Sequence, residues 1–211
     1  MPSLCPVYHL CQPEERTMLP TQFTAQHQAS FADTGYVVVA GLFRPAEVAQ
    51  YRDHFMTLRK HGSYPGDLVG SDPRWNDPLR RYPRMIHMHR WDDLSRRWLL
   101  EPRLNECLTA LLGREPYAVQ TMIYFKPPGG RGQALHQDQR YLQVSPGTCV
   151  AAWLALERTD AENGCLQVVP GSHRIDVLCP VPSDTTRSFT SETVPLPPGS
   201  EVIDVEMEPG D

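Results

Sequence analysis

The chain has 211 residues and a formal net charge of −5, from 20 Lys+Arg against 25 Asp+Glu. That length fits one domain with a real core, and the acidic balance argues against nucleic acid or an anionic membrane as the main partner. Hydrophobic residues at 40% and charged residues at 21% are a globular composition, and 21 prolines favour short strands joined by rigid turns over a helical bundle.

The first residues have neither a basic stretch nor a long apolar run, so they do not read as a signal peptide. No segment reaches the length of a membrane-spanning helix. The cysteines at positions 5, 11, 107, 149, 165 and 179 lack paired C-x-x-C spacing. That argues against a zinc site or a disulfide framework and for reduced thiols in a cytoplasmic protein.

Residues 1–20 read as a loose tail, followed by a single domain over 21–211. Phe23 and Phe31 belong to a short helix that feeds a buried strand at Gly35-Tyr36-Val37-Val38-Val39. Pro45 begins a helix where proline is tolerated. Its apolar stripe is Val48, Tyr51, Phe55 and Leu58, and Gly62 closes it. Residues 63–92, rich in Pro, Gly, Asp and Arg, read as a long loop of the kind that is often functional.

Two further helices follow, one with Leu94, Trp98 and Leu99, the other with Leu104, Cys107, Leu108, Leu111 and Leu112. Pro102 separates them and Gly113 ends the second. The pattern then turns to strands at 117–125, 134–144, 149–156, 165–169 and 200–207. Turns fall at Pro127-Pro128-Gly129-Gly130, at Glu162-Asn163-Gly164 and at Pro170-Gly171-Ser172, and 175–198 reads as an irregular insertion. Helices first and antiparallel strands after predict an α+β chain, mainly β, with a helical part over about 21–113 and a jelly-roll-like β part over about 114–211.

The tripeptide His136-Gln137-Asp138 carries the chemistry. On a strand, His136 and Asp138 point one way and Gln137 the other. An imidazole and a carboxylate on one face make two adjacent corners of a metal site. A second, distant His would complete the 2-His-1-carboxylate set of non-haem Fe(II) oxygenases. An isolated H-x-D is as readily a polar pair on a half-exposed strand, so its surroundings decide.

Those surroundings are Gln120-Thr121-Met122, Lys126-Pro127-Pro128-Gly129, Leu135-His136-Gln137-Asp138, Ala152-Trp153, Asn163-Gly164-Cys165-Leu166 and Pro170-Gly171-Ser172-His173. In order and spacing the stretch from about 120 to 174 resembles the phytanoyl-CoA dioxygenase (PhyH-like) family of Fe(II)- and 2-oxoglutarate-dependent oxygenases. The weaker likeness at Gly35-Tyr36-Val37-Val38 extends it over most of the chain. The resemblance implies a double-stranded β-helix (cupin-like) with N-terminal helices packed on it. His136 and Asp138 would be iron ligands, with Met122, Gln137 and Trp153 at the 2-oxoglutarate site. Arg84 would stand where some relatives place a basic residue for the cosubstrate. Taken from the residues alone, Met122 and Trp153 are also ordinary core side chains, and Arg84 belongs to a basic stretch with Arg80, Arg81, Arg90, Arg96 and Arg97.

The activity so implied is hydroxylation of a small organic substrate with O2, coupled to decarboxylation of 2-oxoglutarate to succinate. Asp138 favours hydroxylation, because related halogenases carry a small residue there. The family pattern also expects a distal His and a 2-oxoglutarate-binding Arg beyond a Gly-Asp turn like Gly210-Asp211. That comparison makes the chain an incomplete barrel, truncated before both. The competing readings are a truncated non-catalytic fragment or pseudoenzyme that keeps weak metal or metabolite binding, and a cupin-like protein with another cofactor. The Asn-Gly-Cys-Leu and Pro-Gly-Ser-His motifs argue against the last.

Overall fold

The computed structural model describes residues 22–68, 78–80 and 82–211. The expected tail over 1–20 and Arg81 lie outside the described residues. Helix α1 (Ala25–Thr34) ends at Gly35, whose φ of +85° lets its N–H cap Phe31 O. Helix α2 (Pro45–Lys60) begins at proline, as expected, and buries Val48, Tyr51, Phe55 and Arg59. The stripe thus ends on an arginine, with Leu58 packed only partly against the core.

The segment read as a loop over 63–92 contains structure. Strand β1 (Asp67–Leu68), strand β2 (Arg84–Ile86) and a 3-10 turn at Met88–Arg90 are all present. Met85 and Met88, each 1% exposed, sit at the centre of the main core beside Leu42, Phe43, Tyr51, Phe55 and Leu94. Polar neighbours had masked the apolar residues that anchor this stretch. Helices α3 (Asp93–Leu99) and α4 (Pro102–Leu112) match their expected bounds. Asp92 caps α3 by accepting from Ser95 N at 2.8 Å, and Gly113, at φ +69°, closes α4.

The strands are shorter than the apolar runs suggested. Strand β3 (Met122–Ile123) pairs with β2, which pairs with β1, all antiparallel. After a short helix α5 (Asp138–Leu142), strand β4 (Leu166–Val168) pairs with β7 (Ile203–Val205), and β5 (Val181–Pro182) with β6 (Glu192–Thr193). The apolar stretch 149–155 joins no ladder. Instead Ala155 exchanges backbone bonds with the Gly210-Asp211 turn, accepting from Gly210 N at 2.9 Å and donating to Asp211 O at 3.2 Å. A second core of Ala155, Val205 and Met207 lies there, packed by Tyr36, Val38, Leu166 and Val168. The result is a mixed arrangement of helices and small antiparallel sheets.

Two charged knots hold the helical layer. Arg103, at the start of α4, donates to Glu47 Oε1 at 3.0 Å, to Glu101 Oε1 at 2.7 Å and to Leu42 O at 3.0 Å. Its guanidinium lies 4.2 Å from the Phe43 ring centre. In the second, Arg59 and Asp67 meet at 2.8 Å with side chains only 5% and 10% exposed. Arg59 also donates to Gly62 O and Pro83 O, tying the end of α2 to the entry of β2.

Burial pushes the Glu47 carboxyl up, but hydrogen bonds from Arg103 and Arg44 outweigh it and hold the group at about 2 rather than 4.5. Because the folded value is the lower, this stabilisation is complete above about pH 4.5 and is lost as pH falls towards 2. Its ceiling is about 3 kcal/mol at 1.36 kcal/mol per unit. Urea midpoints measured from pH 6 down to 3 should fall less steeply for Glu47→Gln than for the parent; parallel curves would contradict the assignment. For the buried pair, Arg59→Met should cost about 3–5 kcal/mol in urea unfolding by stranding Asp67, and adding Asp67→Leu should recover a large part. An unchanged midpoint in the single variant would show that the pair carries no such strain.

Candidate active site

The segment 131–137 is held in place by a later stretch of chain. Gly132 forms a parallel bridge with Ser188, donating to Arg187 O at 3.1 Å and accepting from Phe189 N at 3.0 Å. Ala134 N donates to Ser188 Oγ at 3.0 Å, and Leu135 O accepts from Val194 N at 2.9 Å. Arg131 donates to Thr185 O and Ser188 O. The stretch 175–198, expected as an irregular insertion, is therefore an ordered brace for the H-x-D segment.

The expected strand over 134–144 does not form. Gln137 is extended (φ −115°, ψ 120°) and immediately precedes α5, so Asp138 occupies the first helical position, where an acidic side chain is favoured. Strand alternation is thus not what brings His136 and Asp138 together. The turn into the helix does so, and His136 Nε2 lies 3.1 Å from Asp138 Oδ1. His136 Nδ1 donates to Ala134 O at 2.9 Å, which fixes the ring and directs Nε2 at the carboxylate. The Asp138 hydrogen bond raises the His136 pKa above its usual value, with burial opposing. The same bond lowers that of Asp138, again against burial.

Arg84 joins this group. Its Nη1 donates to Gln133 Oε1 at 3.0 Å, and Gln133 Nε2 lies 3.3 Å from His136 Nε2. The guanidinium lies 4.4 Å from the Phe189 ring centre and 5.4 Å from that of Tyr124. Tyr124 donates to Gln133 Oε1 at 3.1 Å and stacks on Trp153 at 5.4 Å between ring centres. Trp153 is 40% exposed, so it is not a core residue.

Met122 pairs with Ile86 in the β2–β3 register. Alternation puts it on the face shared by Arg84 and Tyr124, while Met85 and Ile123 take the core face. Gln137 is engaged elsewhere: its Oε1 accepts from Leu178 N at 2.8 Å and its Nε2 donates to Asp176 O at 3.2 Å. A small, shallow depression beside His136 is lined by Leu135, Arg140, Tyr141, Pro180, Glu192 and Val194.

Four of the six expected site residues, His136, Asp138, Arg84 and Trp153, therefore belong to one connected cluster. Gln133, Tyr124 and Phe189 were not foreseen. Tyr124 was within reach of the alternation argument, two residues after Met122 on the same face. Gln133 and Phe189 sit in no recognisable motif. Other histidines among the described residues make their own contacts. His54 donates to Asp92 at 2.8 Å, and a side chain at Gly35 would strike His173. His87 and His89 lie with ring centres 5.8 Å apart. Among the described residues no group of three or more His, Cys, Asp or Glu is placed to hold a metal ion. Nor is any helix there long and apolar enough to cross a membrane.

Phytanoyl-CoA dioxygenase 1 of Oryza sativa subsp. japonica is 29% identical over 125 residues, covering 59% of this chain and 44% of that protein. The peroxisomal phytanoyl-CoA dioxygenase of Mus musculus is 27% identical over 175 residues, covering 77% of this chain and 52% of its own. The chain thus spans about half the length of these relatives. Among solved structures, the epimerase SnoN in complex with Fe3+, alpha ketoglutarate and nogalamycin RO aligns at a TM-score of 0.64 with 22% identity, over 88% of this chain and 70% of that one. EvdO2 from Micromonospora carbonacea var. aurantiaca, complexed with 2-oxoglutarate, aligns at 0.59 with 19% identity, over 89% and 78%. These two likenesses establish a shared fold. The family model of phytanoyl-CoA dioxygenase (PhyH) matches residues 31–211, and the chain belongs to that family.

Proposed function

We propose that the chain is a non-haem Fe(II) dioxygenase that uses 2-oxoglutarate and O2 to hydroxylate a small organic substrate. The observation that carries this reading is the 3.1 Å convergence of His136 Nε2 and Asp138 Oδ1. Donors about 2.1 Å from a metal and at right angles around it stand about 3 Å apart, so the pair fits two adjacent corners of an octahedral site. The ring is already turned for this, since Nδ1 is tied to Ala134 O. Iron held there would activate O2, the oxidant, with 2-oxoglutarate and the substrate C–H bond each giving up two electrons.

The chain's own residues bind and orient. Arg84, a bidentate donor held between two rings, meets a carboxylate of the cosubstrate. Trp153 and Met122 form apolar walls, and Gln137 acts through the 176–178 segment it clasps. The substrate enters by the depression beside His136 and Tyr141, whose rings meet edge to face at 5.8 Å. The short strands belong, in this reading, to a double-stranded β-helix within one domain over 21–211. The free thiols of Cys107, Cys149, Cys165 and Cys179 support a cytoplasmic location.

A second reading, a non-catalytic scaffold that binds metal or metabolite weakly, is favoured by one observation. Among the described residues no third His, Cys, Asp or Glu joins His136 and Asp138.

Anaerobic titration with Fe(II) and then 2-oxoglutarate, followed by visible absorption, tests the first reading. Parent protein should give a charge-transfer band that His136→Ala or Asp138→Ala abolishes, with metal affinity falling more than about 100-fold. The proton on His136 competes with the metal, and Asp138 raises that pKa. Affinity should therefore climb with pH through and above the ordinary histidine range. A band that survives His136→Ala, or an affinity flat with pH, would overturn the assignment.

A further inference from the structure

We propose that Gln133 is a binding residue for the anionic cosubstrate, its amide reaching a carboxylate oxygen beside the metal while its carbonyl holds Arg84 aimed at the same anion. The inference rests on the function proposed above. It starts from the direction of the Gln133 amide. An arginine can only donate, so the atom that Arg84 Nη1 meets at 3.0 Å is Oε1. Tyr124 donates to that same oxygen at 3.1 Å. The NH2 group is thereby turned towards His136 Nε2, 3.3 Å away.

Gln133 cannot readily move off this position. The residues on either side of it, Gly132 and Ala134, are bonded to the 187–190 stretch. Arg84 is caged by Phe189 and Tyr124.

His136 Nε2 is also the nitrogen that the functional reading gives to the metal. With Nδ1 donating to Ala134 O, Nε2 gives either its proton to Asp138 or its lone pair to the metal, so in neither state can it accept from the Gln133 N–H groups, and an unmet donor in a half-buried site is costly. The acceptor of matching chemistry is a carboxylate oxygen, and the guanidinium tied to the other end of the same amide selects for an anion. One side chain therefore links the metal ligand to the anion reader. A merely structural Gln would have no need to face that particular ring nitrogen.

The test is calorimetric titration of 2-oxoglutarate into Mn(II)-loaded protein for the parent, Gln133→Met and Gln133→Glu, with Mn(II) affinity measured separately. Met removes both functions and should weaken 2-oxoglutarate about tenfold, the effect of one lost charge-assisted hydrogen bond. Mn(II) affinity in the absence of 2-oxoglutarate should not fall. Glu keeps the acceptors for Arg84 and Tyr124 but replaces the donor with a negative charge, so it should bind 2-oxoglutarate more weakly than Met does. If Gln133 only propped up Arg84, Glu would bind better than Met, and that order would overturn the proposal, as would parental affinity in both variants. Glu also serves if Met fails to fold, because it preserves the local bonds. Absence of 2-oxoglutarate binding to the parent would instead remove the function on which the inference depends.

Discussion

The site depends on one constraint: residues 131–137 are pinned along their length by the 175–198 stretch. Gly132, Ala134, Leu135 and Gln137 each exchange a hydrogen bond with it, through backbone or side chain. A segment held this way cannot slide, and its end is turned into α5 at Gln137. Asp138 is therefore delivered beside His136 rather than across a pleat. The 3.1 Å approach of imidazole and carboxylate follows from that turn, and so does the directed Nε2. The stretch that supplies the brace also supplies Phe189, one of the two rings around Arg84.

Strand β2 connects this constraint to the rest of the molecule. Its alternation sends Met85 into the main core at 1% exposure and Arg84 to the opposite face, into the site. Burial of Met85 and Met88, worth about 2 kcal/mol each on transfer from water, thus fixes where the guanidinium can stand. The Arg59–Asp67 pair fastens the entry to β2, and Arg103 fastens the helices around Phe43. At the far end, the Gly210-Asp211 turn is locked to Ala155 and Phe43, and Gly210 is at φ +102° where a side chain would also strike Phe43 O. Asp211 also accepts from Gly41 N at 2.8 Å.

Much of the helical layer was legible in the sequence because its signals are local. Pro45 starts a helix, Pro102 separates the next two, Gly113 ends the last, and the 3.6-residue stripe names Val48, Tyr51 and Phe55. The closeness of His136 and Asp138 was legible, but the geometry that produces it was not. Alternation assumed a strand, whereas an extended Gln137 and an acidic first turn favour a helix start. The 63–92 stretch misled because its Pro, Gly and Arg content hides Met85 and Met88. Nothing local marks 175–198 as a brace, since its partners lie 40 to 60 residues earlier in the chain. Gln133 was invisible for the same reason: its role comes from Arg84 and Tyr124, which only the tertiary fold brings to it.

The central claim is that His136 and Asp138 converge as metal ligands. Iron-edge X-ray absorption on the Fe(II)-loaded chain addresses it most directly, because imidazole leaves its own multiple-scattering signature around the metal. The account predicts an imidazole contribution that disappears in His136→Ala while the variant remains folded. An iron environment without imidazole, or one unchanged by that substitution, would contradict it.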